Sequence, residues 1–72
     1  MSVEQKEQKV CSRLKARRLE MEITQNELAE RAGLERKTIN RIEMGRYSPS
    51  LKSLFMLCSA MKVKPAEVLE GL

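Results

Sequence analysis

The stretch Thr24–Glu43, TQNELAERAGLERKTINRIE, decides the fold of this chain. Thr24 and Glu27 have the spacing of a capping box, in which each side chain bonds to a backbone N–H group that has no partner within the helix. Gly33 is the residue type that most readily takes the left-handed conformation at a helix end. The stretch therefore predicts a short helix, a glycine-containing turn and a second short helix that begins near Glu35.

The second predicted helix has two chemically different faces. Ile39 and Ile42 have the spacing of core-facing positions, whereas guanidinium, ammonium and amide groups occupy the outward positions. Such groups match the hydrogen-bonding pattern of base edges in the major groove of DNA. Glu35, at the start of this helix, either accepts a bond from cytosine or favours the positive helix end. The candidates for base readout are Arg36, Lys37, Asn40 and Arg41.

The motif extends over most of the chain, at Gln25, Leu28, Ala29, Ala32, Gly33, Ile39, Ile42, Glu43, Gly45, Pro49 and Leu57. With these residues the chain resembles the helix-turn-helix of the lambda repressor and Cro family, also called the xenobiotic-response-element family. The resemblance runs from about Leu14 to Leu69. It implies a lambda-repressor-like, all-α DNA-binding domain with its helix-turn-helix at residues 24–43.

The remaining helices are predicted from the spacing of apolar residues and from the residue types that begin or end helices. The first should run to about Met21, and the polar residues 1–9, an N-terminal extension of the resemblance, either fray or lengthen it. Glu22 stands where the family often has glycine, so either Glu22 takes an unusual backbone angle or the loop has a different shape. Ser50 should cap a fourth helix, in which Leu51 and the apolar positions after it fall at core spacing.

The end of the chain predicts a fifth helix, and with it the fold class. Gly45 and Pro49 separate the third helix from the fourth. Pro65 is a favoured first-turn residue, and Gly71 stops the last helix. The 72 residues therefore form a single domain, a compact bundle of five short helices with no strand.

Charge is distributed unevenly along the chain, whose net charge is +4. Residues 11–22 and residues 35–48 each carry four basic and two acidic side chains. If the chain docks as the family does, both segments lie near the DNA backbone. One phenylalanine and one tyrosine argue against single-stranded nucleic acid as the ligand, which usually requires stacking aromatics.

Several residue types that catalysis or export would require are missing. The sequence has no histidine, no paired-cysteine metal motif and no glycine-rich phosphate loop, so we expect no enzyme activity, metal or cofactor. Cys58 is predicted to be a small core residue. A disulfide between Cys58 and Cys11 would require a suitable Cα–Cα distance, which the sequence does not give. The start is too polar for a signal peptide, and the apolar run at residues 54–58 is too short for a membrane span. We expect a reduced, cytoplasmic setting without membrane contact.

Phosphate contacts are expected at the start of the first motif helix and in the loop after the second. A helix N-terminus presents unpaired N–H groups and partial positive charge to an anion. For Tyr47, half-buried packing over the loop is an equal alternative. The resemblance further implies an ion pair between Arg18 and Glu43 that positions the recognition helix and keeps Arg18 close to the DNA backbone. The phosphate candidates are Thr24, Gln25, Asn26, Arg18, Arg46, Tyr47 and Ser48.

The resemblance implies a sequence-specific regulator of transcription that binds double-stranded DNA as a homodimer on a two-fold symmetric operator. The alternative is an antitoxin of the same fold, which binds a toxin protein as well as its own operator. The family commonly pairs subunits through the C-terminal end, where four apolar residues remain after one core is filled. Alternatively, these residues are isolated surface apolars or fold back on their own core, and the interface lies on the N-terminal extension. The four interface candidates are Phe55, Met56, Leu69 and Leu72.

Overall fold

Five helices and no strand make up the computed structural model, which describes all 72 residues. The helices are α1 (Val3–Glu20), α2 (Gln25–Ala32), α3 (Arg36–Glu43), α4 (Leu51–Ala60) and α5 (Pro65–Leu69). The radius of gyration is 11.0 Å, and a compact chain of this length has about 11 Å. The predicted all-α bundle of five helices is therefore confirmed.

Side-chain caps fix where α1, α2 and α4 begin. Thr24 and Glu27 form the predicted capping box at the start of α2. A second capping box, which the sequence analysis did not identify, joins Ser2 to Gln5 at the start of α1. The cap at Ser2 places the beginning of α1 at Val3, so residues 3–9 lengthen the first helix.

Each of the first four helices ends with a residue in the left-handed conformation, which only glycine takes without penalty. The residue is Glu22 after α1 (φ 57°), Gly33 after α2 (φ 75°), Gly45 after α3 (φ 72°) and Lys62 after α4 (φ 53°). In each case the N–H of the next residue bonds to the carbonyl five positions before it, at 3.4, 3.0, 3.0 and 3.0 Å. Of the two alternatives for Glu22, the structure has the unusual backbone angle.

All five helices contribute to one core of fourteen buried apolar side chains. Ile39 and Ile42 of α3 lie in it, as the sequence predicted. Helix α3 packs against α1 and α2, and α2 also packs against α4, so α3 is supported from behind and leaves its other face open. Leu51, predicted to be core, is instead 66% exposed, because the buried face of α4 runs through Leu54, Leu57 and Cys58.

Both cysteines are free and buried in this core. Burial raises the pKa of the Cys11 thiol, and the neighbouring Glu7 carboxylate adds to the effect. Burial likewise raises the pKa of the Cys58 thiol. Neither thiol is in its reactive thiolate form near neutral pH. None of the five helices combines the length and the apolar composition that crossing a membrane requires.

Candidate nucleic-acid interface

The outward face of α3 presents three unpaired cations. Arg36, Lys37 and Arg41 are exposed, and none of them takes part in an ion pair. The N-cap residue Glu35 is also exposed and makes no side-chain cap bond. Three long basic side chains are therefore available to a polyanion at the start and middle of this helix.

Asn40, the fourth base-readout candidate, differs from the three cations because it is half-buried. Its Oδ1 accepts a bond from Gln25 Nε2 at 3.2 Å, and its Nδ2 lies 3.4 Å from the sulfur of Met44. These contacts orient the amide group before any ligand is present. Asn40 can contact a base only from this preset position or by giving up the bond from Gln25.

A buried polar network holds the C-terminal end of α3. Arg18 donates to both carboxylate oxygens of Glu43, from Nε to Oε2 at 2.6 Å and from Nη2 to Oε1 at 2.9 Å. Gln25 Nε2 donates to Glu43 Oε1 at 3.0 Å, which connects α2 to the same carboxylate. The side chains of Arg18 and Glu43 are only 11% and 4% exposed. The expected pair is therefore present, as a shielded two-bond contact between α1 and α3.

The environment of Arg18 leaves it little freedom to contact DNA. Its Nη1 donates to the backbone carbonyl of Ile23 at 2.7 Å, so all three guanidinium nitrogens have partners inside the protein. The bond to the Glu43 carboxylate raises the pKa of Arg18, although burial alone would lower it. The structure thus has Arg18 in the interior, and positioning rather than phosphate binding matches this placement.

The start of α2 holds three of the phosphate candidates. The Thr24 hydroxyl accepts from the N–H of Glu27 at 3.0 Å, and the Glu27 carboxylate accepts from the N–H of Thr24 at 2.9 Å. This bond to the Thr24 backbone lowers the pKa of Glu27. The N–H groups of Gln25 and Asn26 remain, because first-turn donors have no partner within the helix. The side chain of Asn26 is exposed, whereas that of Gln25 is half-buried in the network.

The loop after α3 holds the other three candidates. Arg46 is exposed and unpaired, and Tyr47 is 46% exposed. Ser48 Oγ donates to Glu7 Oε2 of α1 at 2.7 Å, so its hydroxyl proton already has an acceptor. Gln8 Nε2 donates to the carbonyl of Gly45 at 2.8 Å. Glu7 and Gln8 could not be predicted from sequence patterns, since no local pattern pairs residues about forty positions apart.

The four interface candidates differ in their exposure. Phe55 and Leu69 are 51% and 43% exposed. Met56 is half-buried beside the turn of the motif, where a Cβ on Gly33 would lie 3.6 Å from its methyl group. Leu72 packs back on the core. Fold-back, the stated alternative, therefore describes Leu72, and Phe55 and Leu69 remain as the exposed apolar residues of α4 and α5.

An open cavity of about 160 Å³ lies between α1 and the C-terminal helices. Leu54 and Leu69 line one part of it, and Glu7 and Val10 of α1 line another. The C-terminal helices and the N-terminal extension, which the sequence offered as alternative interfaces, thus border the same depression.

Comparison with known proteins gives a consistent family assignment. A family model described as Helix-turn-helix (HTH_3) matches residues 14–68. An uncharacterised HTH-type transcriptional regulator of Archaeoglobus fulgidus is 37% identical over 57 residues, which cover 79% of this chain and 80% of that protein.

Two solved structures share the fold. The restriction-modification controller protein C.AhdI from Aeromonas hydrophila superposes with a TM-score of 0.80 at 30% identity, over 83% of this chain and 91% of its own. The P22 c2 repressor, solved in complex with a synthetic operator, has a TM-score of 0.78 at 27% identity, over 88% of this chain and 96% of its own.

Proposed function

This chain belongs to the Cro/C1-type helix-turn-helix family of DNA-binding transcriptional regulators, and on that premise we propose that it acts as a homodimer on a two-fold symmetric operator. One observation carries the proposal. Helix α3 presents Arg36, Lys37 and Arg41 without ion-pair partners, and the Arg18–Glu43 contact holds its end in place. A rigid helix with unpaired donors is suited to the major groove, which admits one α-helix.

The base-reading side chains have different roles in this proposal. Arg36 and Arg41 can each grip a guanine with two bonds, and Lys37 can reach a base acceptor or a phosphate. Asn40 can contact adenine, and its bond from Gln25 sets the amide orientation before DNA arrives. Gln25 therefore acts first as an orienting group, and its side-chain oxygen and backbone N–H are left for a contact with DNA.

Phosphate binding is proposed at both ends of the α2–α3 unit. The unpaired N–H groups of Gln25 and Asn26 form the first contact, since a helix N-terminus favours an anion. Arg46, with Tyr47 and Ser48, forms the second, in the loop that continues from α3. Arg18 supports both sites from the interior through Glu43.

Two observations support the homodimer, the size of the DNA contact that one helix can make and the exposed apolar surface of α4 and α5. One recognition helix covers only a half-site, and a dimer places two of them one DNA turn apart, about 34–36 Å. Leu51, Phe55 and Leu69 supply exposed apolar surface on α4 and α5. The P22 c2 repressor, of similar fold, was solved with a synthetic operator, which supports duplex DNA as the ligand.

Selection of binding sites from random duplexes tests the proposal. We expect a consensus with two symmetric half-sites whose centres lie about 10 base pairs apart. The variant with alanine at Arg36, Lys37, Asn40 and Arg41 is the comparison, and it should select no consensus. An asymmetric single half-site would contradict the homodimer, and intact discrimination by the four-alanine variant would contradict the assignment of the base-reading helix.

The antitoxin alternative stays a prediction. It would require the same DNA contacts, so operator binding does not separate it from a regulator that acts alone. A toxin-like reading frame next to the gene, followed by co-purification of the two proteins, would support the antitoxin function. Its absence would favour the regulator.

A further inference from the structure

The loop that follows the recognition helix is attached to the N-terminal turns of α1. Gln8 Nε2 donates to the carbonyl of Gly45 at 2.8 Å. A Cβ at Gly45 would overlap the side-chain amide of Gln8, so the two residues are in direct contact. Gly45 thus serves the left-handed turn that ends α3 and also leaves room for Gln8.

Two further contacts follow the first along the same loop. Ser48 Oγ donates to the Glu7 carboxylate at 2.7 Å, and the Cys11 thiol lies 3.8 Å from the carbonyl of Tyr47. Residues 7, 8 and 11 are neighbours on the surface of one helix. The first turns of α1 therefore touch the loop from Gly45 to Ser48 at three points, and this is the loop to which phosphate contacts are assigned.

We infer that Gln8 is a positioning residue for DNA binding, which sets the loop at residues 45–48 against the DNA backbone through its bond to Gly45. The inference rests on the proposed function and adds to it a residue that acts through Gly45 rather than by contact with DNA. Gln8 precedes residues 14–68, the part that matches the family model. The positioning contact therefore comes from a segment outside the shared motif.

The position of Gln8 along α1 explains why one attachment is not enough. Arg18 holds Glu43, the last residue of α3, and Gln8 holds Gly45, two residues further on. Arg18 lies ten positions after Gln8, which corresponds to about 15 Å along α1. Two attachments at that separation hold the chain as it leaves α3, and the contacts of Glu7 and Cys11 hold the loop further along.

Gln8→Met tests the inference, because methionine keeps the length and the helix propensity but has no donor for the Gly45 carbonyl. The probe is a duplex that the wild-type protein selects from a random pool, beside an unrelated duplex of equal length. Ser12→Ala is the matched control, since Ser12 is exposed on the same helix and its side chain makes no hydrogen bond. Binding is measured well below the unfolding temperature, with helix content checked by circular dichroism.

We expect Gln8→Met to weaken binding to the selected duplex about fivefold, as the loss of one hydrogen bond does. The slope of log K against log salt concentration should also become shallower, because the loosened loop makes fewer phosphate contacts. Hydrogen exchange at the Arg46 amide, which bonds to the Arg41 carbonyl, should accelerate without DNA present. Ser12→Ala should change none of these quantities.

Unchanged affinity and salt slope in Gln8→Met would overturn the inference, even if the melting temperature fell, because Gln8 would then be only a structural residue. The behaviour of the wild-type protein separates this failure from a failure of the proposed function. If the wild type selects a duplex and Gln8→Met binds it equally, only the inference is wrong. If the wild type binds no duplex, the proposed function is wrong and the inference falls with it.

Discussion

The recognition side of the molecule (α2, α3 and the loop at residues 45–48) differs from its C-terminal side (α4 and α5). The difference lies in how far hydrogen bonds pair the polar groups and how much apolar surface stays exposed. At the end of α3, the buried Glu43 carboxylate accepts from Arg18 and from Gln25, and the helix closes on a glycine. On the C-terminal side, α5 has five residues and no side-chain N-cap, and the turn before it closes on Lys62. Leu51, Phe55 and Leu69 stay exposed there.

This difference indicates which side reaches its final structure without a second subunit. On the recognition side, the buried polar groups at the end of α3 are paired before DNA arrives, and only the cations of its outward face stay unpaired. The C-terminal side depends on a contact from α1, since Arg13 Nη1 donates to the carbonyls of Val68 and Glu70 at 2.9 and 2.6 Å. It also leaves apolar surface that a second subunit could cover.

The largest effect should come from breaking the buried pair on the recognition side. Removal of either partner, by Arg18→Leu or Glu43→Ala, leaves the other charge shielded and unpaired, so we expect a loss of about 3 kcal/mol in the free energy of unfolding. A double-mutant cycle by urea denaturation should give a coupling energy above the ~1 kcal/mol that is the upper limit for surface pairs. The i,i+3 pair Arg17–Glu20, at 3.8 Å and more exposed, is the control and should show little coupling. Additive effects at Arg18 and Glu43 would mean that the pair does not form in solution.

The second prediction concerns the base-reading side chains on the outward face of α3, the helix that the Arg18–Glu43 pair supports. Arg41→Ala should cost about 2 kcal/mol in binding to the selected duplex and relax the preference at one base position. Lys64→Ala is a control of the same charge change, on the C-terminal side, and should leave that preference intact. Competition with duplexes that carry each base at that position measures both effects. A loss that is equal for all four bases would assign Arg41 to phosphate contact.

The sequence predicted the recognition side better than the C-terminal side, and the reason is physical. On the recognition side, Thr24, Glu27 and Gly33 are local signals, and Ile39 and Ile42 have helical spacing, so short-range rules were enough. The pairing of Arg18 with Glu43 came from the family resemblance, but the burial that removes Arg18 from the surface depends on the packing of α1 against α3. Sequence spacing carries no information on that packing.

The C-terminal side was predicted less well because its apolar residues exceed what one helix face can bury. Spacing alone could not divide them, so Leu51 was assigned to the core although it is exposed. Leu72 and Met56 were grouped with Phe55, yet one packs on the core and the other lies beside Gly33. The Gln8–Gly45 bond joins residues 37 positions apart, and no local pattern indicates it.

The third prediction tests whether the exposed apolar residues bind a second subunit. A charge at the centre of an apolar interface is costly, so Leu69→Lys or Phe55→Lys should raise the dimer dissociation constant at least tenfold, about 1.4 kcal/mol. Sedimentation equilibrium at micromolar concentration measures it, and operator binding should weaken in parallel. Leu19→Lys is the control, because Leu19 is equally apolar and 55% exposed on α1. A dimer that is unchanged by both variants would move the interface to another surface.

The smallest effect concerns the residue that follows a helix in the left-handed conformation. This residue is glycine after α3 but lysine after α4. Lys62 holds φ 53° in the same left-handed turn that Gly45 makes at φ 72°. Lys62→Gly relieves a conformational penalty of about 1–2 kcal/mol, but glycine also gives the unfolded chain more freedom, which returns about 0.5–1 kcal/mol. We therefore expect a net gain of about 0.5 kcal/mol in the free energy of unfolding. The change should be measured by urea denaturation.

Three companion variants show whether that gain comes from the backbone angle. Glu22→Gly, at φ 57° after α1, should give a gain of similar size, whereas Lys64→Gly, at φ −77°, should only destabilise. Gly45→Ala should destabilise most, since alanine would be strained by the positive φ and would collide with Gln8. If Lys62→Gly and Lys64→Gly lowered stability equally, the left-handed turn after α4 would not be strained. The exposed apolar residues would then be the only feature that distinguishes the C-terminal side in this comparison, without a contribution from a strained helix end.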